Sequence, residues 1–274
     1  MTAQATRPVG VDELHRAWLA VQAGDFRHNT PTRLPATSAS PTSPEWWTPA
    51  SDEWVVPVVG AAGSCGATTV ALALATGVDG QARVVECASA ACSGLAAAST
   101  AELGSDGHGW VHGSRGRVLL HRADGAWTHP DAVPVPPPAD VPVATIVDFG
   151  CQLEQVLASQ GWLTALLADA PTVVVVARAS VPGLRRLESA VHLLGADRAV
   201  AAVLGPPRRR WPRPVTHSVG ALTAGLIDIG RLVEIPEDRT VAVHGLTPDP
   251  LPGQLLAAAT TLLSLIEGNP HHAR

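Results

Sequence analysis

No lysine and no tyrosine occur anywhere in the 274 residues, and all nineteen cationic side chains other than histidine are arginines. With Ala, Gly, Pro and Arg abundant, this reflects a GC-rich genome, and it has a chemical consequence. At any site that ordinarily uses lysine, none elsewhere in the chain can stand in. The formal net charge is -5, so a basic excess that would argue for nucleic acid is missing. Four cysteines, Cys65, Cys87, Cys92 and Cys151, lack the paired CxxC spacing of a zinc site and are too few for a disulfide framework in a chain this long. They read as buried, reduced thiols. Apolar runs such as PTVVVVA are far shorter than the ~20 residues needed to span a bilayer. No charged-then-apolar leader opens the chain, so the expected compartment is the cytoplasm.

What is present is a core-forming composition: 46% hydrophobic and 16% charged residues. Residues 1–52 stand apart. VDELHRAWLAVQA predicts a short helix with Leu14, Trp18 and Val21 on one face. A Ser/Thr/Pro-rich stretch then reads as a flexible linker, broken by Trp46 and Trp47, which are expected to dock on the chain's own domain. Residues 53–268 form the expected domain and 269–274 a tail.

Within that domain short apolar runs alternate with helical patterns. EWVVPVVG, ARVVECA, VATIVDFG, PTVVVVARA and RAVAAVLG read as buried strands. ATTVALALATGV, SGLAAASTAEL (with Ser93 as N-cap), LEQVLASQGWLTALLADA, VPGLRRLESAVHLLGA, VGALTAGLI and PGQLLAAATTLLSLIEG read as helices. RVLLHR and AWTH about an ADG turn predict an inserted β-hairpin, and RLVEIP and TVAVHG short extended pieces. The fold class is α/β: a mostly parallel sheet sandwiched by helices, which binds ligands at the carboxyl ends of its strands.

The first strand, turn and helix carry the motif GSCGATT. A phosphate-binding P-loop, GxxxxGK[ST], uses glycines to wrap backbone N–H groups round a phosphate, a helix N-terminus for partial positive charge, a lysine for the outer phosphates and a hydroxyl for Mg²⁺. Gly63, Ser64, Cys65, Gly66, Thr68 and Thr69 supply the bend, the donors and the hydroxyl. Ala67 stands where the lysine belongs. A second motif, IVDFG, ends an apolar strand in Asp148, the pattern in which a carboxylate holds the water shell of Mg²⁺ beside the loop. Gly150 follows, placed to offer an N–H to a terminal phosphate. Thr68 and Asp148 are thus the candidate metal-site pair.

GSCGATT followed by VVECA, IVDFG and VVVVARAS resembles the ParA/MinD group of P-loop ATPases over roughly residues 54–266. The lysine-less loop is most similar to the divergent CpaE/TadZ-like branch, in actinobacterial and pilus-assembly settings. The group's usual and upstream lysines correspond to Ala67 and Ala62. The resemblance implies a P-loop fold binding ATP or ADP with Mg²⁺, dimerisation through the nucleotide face, and a protein partner in a bacterial secretion, pilus or conjugation assembly. It implies a catalytic role for Asp148 and an assisting role for Glu86, at the end of the second strand. Arg115, with Arg117 beside it, is the candidate replacement for lysine, and Arg178, after the fourth strand, is expected either to touch a base or phosphate or only to pair with an acid nearby. Three readings remain open: a non-hydrolysing or weakly hydrolysing scaffold, an active ATPase using Thr68, Asp148 and an arginine, and a nucleotide-free adaptor. The run RRRWPRP reads as a solvated basic loop.

Overall fold

A computed structural model describes residues 46–139 and 144–268, with positions 11, 15, 16, 18, 19 and 22. The chain divides into two compact units, Met1–Ser43 and Pro44–Arg274. In the first unit the six described positions are helical and exposed, Trp18 among them. Leu14, Val21, the linker up to residue 45 and the tail lie outside the described residues.

The second unit is built on one nine-stranded sheet in the order β3-β4-β5-β2-β6-β1-β7-β8-β9. Its strands are β1 (Trp54–Gly60), β2 (Ala82–Glu86), β3 (Ala101–Ser105), β4 (Trp110–Arg115), β5 (Val118–Ala123), β6 (Ala144–Asp148), β7 (Val173–Arg178), β8 (Ala199–Gly205) and β9 (Leu232–Pro236). From β5 to β9 across the sheet every pairing is parallel; β4 alone runs against its neighbours. The α-helices are α1 (Ala67–Gly77), α2 (Leu153–Leu157), α3 (Trp162–Asp169), α4 (Val181–Leu194), α5 (Arg213–Thr216), α6 (Ala221–Asp228), α7 (Arg239–His244) and α8 (Gly253–Glu267).

The near-continuous apolar strands follow from burial on both faces. In β7, Val174 and Val176 face a core shared with Leu72 and Leu74 of α1 and Leu262 and Ile266 of α8. Val173, Val175 and Ala177 face the opposite core with Trp162, Leu184 and Leu187. Pro57 sits inside the central strand without an N–H to donate, one residue before the β1–β7 ladder begins at Val58. Trp47 packs edge-on against Trp162, with ring centroids 5.4 Å apart, so the aromatic pair splits: Trp47 docks and Trp46 stays exposed.

Several local expectations are corrected. The helix expected over SGLAAASTAEL is a single 3₁₀ turn, Ala96–Ala98, leading into β3, with a second 3₁₀ turn, Ala90–Cys92, just before it. The buried Glu86 carboxylate captures the Ser93 hydroxyl and the N–H groups of Gly94 and Leu95, holding this segment out of a helix. The RVLLHR strand, β5, pairs with β4 rather than with AWTH, and its other edge lies parallel to β2. TVAVHG is helical, not extended, because the Asp238 carboxylate accepts from the N–H groups of Thr240 and Val241 and caps α7. The long helix expected after residue 152 breaks at Gly161, whose backbone is extended, into α2 and α3.

Candidate functional site

The chain leaves β1 through α1 towards β2 and leaves β6 through α2 and α3 towards β7, in opposite directions along the sheet. Such a switch point opens a crevice at the carboxyl ends of the strands. A cleft of about 720 Å³ lies there, lined by Gly60, Asp148, Arg178 and Leu204 at the strand ends and by residues 62–69 of the glycine-rich turn.

The turn is shaped by backbone conformation rather than side-chain bonds. Ser64 and Gly66 adopt left-handed φ values of 57° and 96°. The left-handed φ of Gly66 favours glycine there, and a Cβ would also approach the end of the Leu204 side chain, Cδ2, to 2.5 Å. Gly66 also heads α1 without a side-chain cap, which leaves the first N–H groups of the helix to whatever fills the cleft. Gly63, Ser64, Cys65, Ala67, Thr68 and Thr69 all line it. The site-building part of the motif is therefore assembled in one place, and at the lysine position there is only the Ala67 methyl.

Asp148 enters from the end of β6. Its side chain is 1% exposed, it lines the cleft, and among the described residues neither carboxylate oxygen closes a hydrogen bond. Burial and the facing Glu86 raise its pKa to about 7, while the nearby Thr68 hydroxyl and Gly150 N–H favour the charged form without forming well-shaped bonds. A buried, unpartnered carboxylate costs free energy that a cation or donor in the cleft would recover. Gly150 lines the same cleft at φ 58°, and a Cβ there would meet Ala88 Cα at 2.6 Å.

An oxygen-ligated Mg²⁺ suits this donor set, a carboxylate beside a hydroxyl. Among the described residues no three His, Cys, Asp or Glu side chains come together as a metal cage. A divalent ion here would take its remaining ligands from phosphate oxygens and water, as Mg²⁺ commonly does.

The other expected residues divide. Arg178 reaches the cleft, where its half-exposed guanidinium pairs with Glu237. Arg115 does not: it is buried and donates to the carbonyls of Ala98, Thr247 and Asp249, tying the hairpin to the segment before α8. Arg117 donates to the Thr76 carbonyl at the far end of α1. Both guanidinium groups are spent on carbonyls that would otherwise lack donors. Glu86 sits behind the cleft rather than in it. Burial raises its pKa against the lowering effect of the Ser93, Gly94 and Leu95 donors, and its carboxylate fixes the segment that packs on Thr68.

The thiols also differ from the expectation of uniform burial. Cys65 and Cys87 are buried, but Cys92 is exposed and Cys151 partly so, and no disulfide forms. Burial pushes the Cys151 thiol up to about 11 and raises Cys65 as well, which keeps both neutral rather than nucleophilic. The sequence reading missed the opposite wall: Glu237 and Asp238, then Val241 and Leu246, with Leu255 from α8. The available signal was position, since Glu237 and Asp238 directly follow β9 at the ligand-binding end of the sheet.

No family model matches the chain, and no curated protein matches it. Solved structures with similar architecture include the ParA family ATPase from Chlorobium tepidum TLS, 16% identical, covering 76% of this chain and 97% of that one with a TM-score of 0.46. The Pyrococcus furiosus cell division ATPase MinD is likewise 16% identical, covering 78% and 98% with a TM-score of 0.46. A putative plasmid partition protein from Borrelia burgdorferi B31, solved with AMPPNP, is 10% identical and covers 78% and 98% with a TM-score of 0.42. Likeness at these levels bears on architecture alone. The chemistry is carried by the cleft's own residues.

Proposed function

We propose that this chain is a ParA/MinD-like protein of the lysine-less, CpaE/TadZ-like kind, which holds ATP or ADP with Mg²⁺ weakly and cleaves it slowly or not at all. The supporting observation is the pairing, in one cleft, of a P-loop-shaped turn whose lysine place is Ala67 with the buried, unpartnered carboxylate of Asp148. Backbone N–H groups and the start of α1 are suited to a phosphate, Thr68 and Asp148 to a hydrated Mg²⁺, and Arg178 is the cation available to the outer phosphates. Losing one preorganised electrostatic contact costs ~3–4 kcal/mol in the transition state, a factor of 10²–10³ in rate. Binding tolerates that loss better than catalysis does.

In this reading the protein is a cytoplasmic scaffold or localisation factor in a bacterial secretion, pilus or conjugation assembly. It works with a protein partner and as a homodimer across the nucleotide face. The arm, residues 1–52, is the natural tether to that partner. A second reading, an active ATPase, is favoured by one observation: Arg178 lines the cleft.

Calorimetric titration with Mg-ATP and Mg-ADP, followed by a phosphate-release assay, separates the cases. Binding without turnover supports the scaffold. Turnover lost in Asp148→Asn and Arg178→Ala supports the ATPase. No binding at millimolar nucleotide leaves a nucleotide-free adaptor.

A further inference from the structure

Just past β8, four arginines fall within six positions: Arg208, Arg209, Arg210 and Arg213. All four are exposed. Arg208 approaches Glu234 at 3.9 Å. Among the described residues the guanidinium groups of Arg209, Arg210 and Arg213 make no ion pair and no hydrogen bond. Arg185, Arg186 and Arg239 are likewise exposed and without a side-chain bond among the described residues, but only past β8 do four exposed arginines fall so close together. Arg83, Arg115, Arg122, Arg198 and Arg231 all bond to carbonyls, hydroxyls or carboxylates.

The segment that carries them is pinned. Trp211 lies in their midst, buried in the core that also holds Leu187 and Val191, and its indole N–H donates to the Pro206 carbonyl at 2.9 Å. The Arg210 and Trp211 N–H groups close a 3₁₀ turn on Pro207 and Arg208. Prolines at 206, 207, 212 and 214 fix φ on both sides of the turn. The arginines are therefore presented on a preorganised platform, with little ordering entropy left to lose on binding. Held together, their charges repel, and nothing described within the fold offsets three of them. An external anion does.

We infer that residues 208–213 form a docking platform for a short acidic segment of a partner protein, held by guanidinium–carboxylate pairs. The planar fork of arginine suits carboxylates in this bidentate way. The surroundings favour a short peptide over a long polyanion. The patch is bounded by Glu234, the neighbouring strand end carries Glu237 and Asp238, and the whole chain is net -5. A nucleic acid backbone extending beyond the platform would meet negative charge.

Fluorescence anisotropy on the full chain tests this, with a labelled oligoglutamate peptide, duplex DNA and phosphatidylglycerol vesicles as probes. The peptide should bind at low ionic strength. Binding should weaken at least about tenfold in R209A/R210A/R213A, as central charged contacts do, and vanish in R209E/R210E. It should be unchanged in R185A/R186A, which removes two exposed arginines of α4. All these side chains are exposed, so each variant should melt with the wild type; if the triple variant does not, R209Q/R210Q replaces it in the comparison. Equal losses in the two arginine sets would reduce the effect to bulk charge and overturn the inference. So would peptide binding indifferent to residues 209–213, or tighter binding of DNA or vesicles through the same arginines.

Discussion

Arg178 and Glu237 pair in the cleft, which Asp148 and Asp238 also line. As long as Glu237 holds the guanidinium, an incoming phosphate must compete with a carboxylate for it and also feels that carboxylate's repulsion. Glu237→Gln should therefore tighten Mg-ATP binding several-fold in a calorimetric titration, and Arg178→Ala should weaken it by more. Equal affinities in wild type and Glu237→Gln would mean the pair does not face the ligand. Far from the cleft, His121 is buried beside His112, their ring centroids 4.6 Å apart and its Nδ1 without a partner. Burial first, then the Arg83 and His112 charges, hold its pKa down to about 3. The unfolded chain takes up this proton near pH 6.5 and the folded one does not, so stability is lost as pH falls from about 6.5 towards 3, by up to about 1.4 kcal/mol per pH unit. Urea midpoints at pH 7 and pH 5 should drop further for the wild type than for His121→Leu; identical drops would remove His121 as the cause.

Among the elements, α7 forms the wall of the cleft opposite the glycine-rich turn, and it is only six residues long with one capping side chain. Asp238→Ala should cost about 1 kcal/mol of local stability and raise hydrogen exchange at residues 240–244 before it changes the global melting point. Unaltered exchange there would show that the wall is held by its packing instead. How much of each element could be read from the sequence follows from how local its causes are. The turn, Asp148 and Gly150 were legible because a strand, a bend and a helix start are each set by neighbours in the chain. β3 was not, because its alanine-rich lead-in has helical composition and is overridden by Glu86, a residue on another strand. Arg115 was misassigned for a similar reason: two of the carbonyls that occupy it belong to Thr247 and Asp249, more than a hundred residues away. The capping of α7 by Asp238 was readable in principle, since Asp precedes the helix directly, but the β-branched run TVAV argues for a strand.

At the scale of the molecule, the sheet divides the second unit into two cores, and Trp47 closes the edge of one of them against Trp162. Removal of residues 1–43 leaves Trp47 in place and serves as the reference cut. Against it, removal of residues 1–52 should destabilise the domain by about 1–3 kcal/mol through loss of the Trp47 contact. A fold that survives both cuts equally would place Trp47 outside the core. The central claim concerns the missing lysine: that the cleft still cradles phosphate through backbone N–H groups, Thr68, Asp148 and Arg178, and that what Ala67 lacks is the cation. Titration of Mg-ATP into wild type and Ala67→Lys tests it most directly. The account predicts weak binding to the wild type and at least about tenfold tighter binding to the lysine variant, one restored charge contact being worth roughly 1.4 kcal/mol or more. Affinity unchanged by the lysine, or no binding by either protein at millimolar nucleotide, would contradict it.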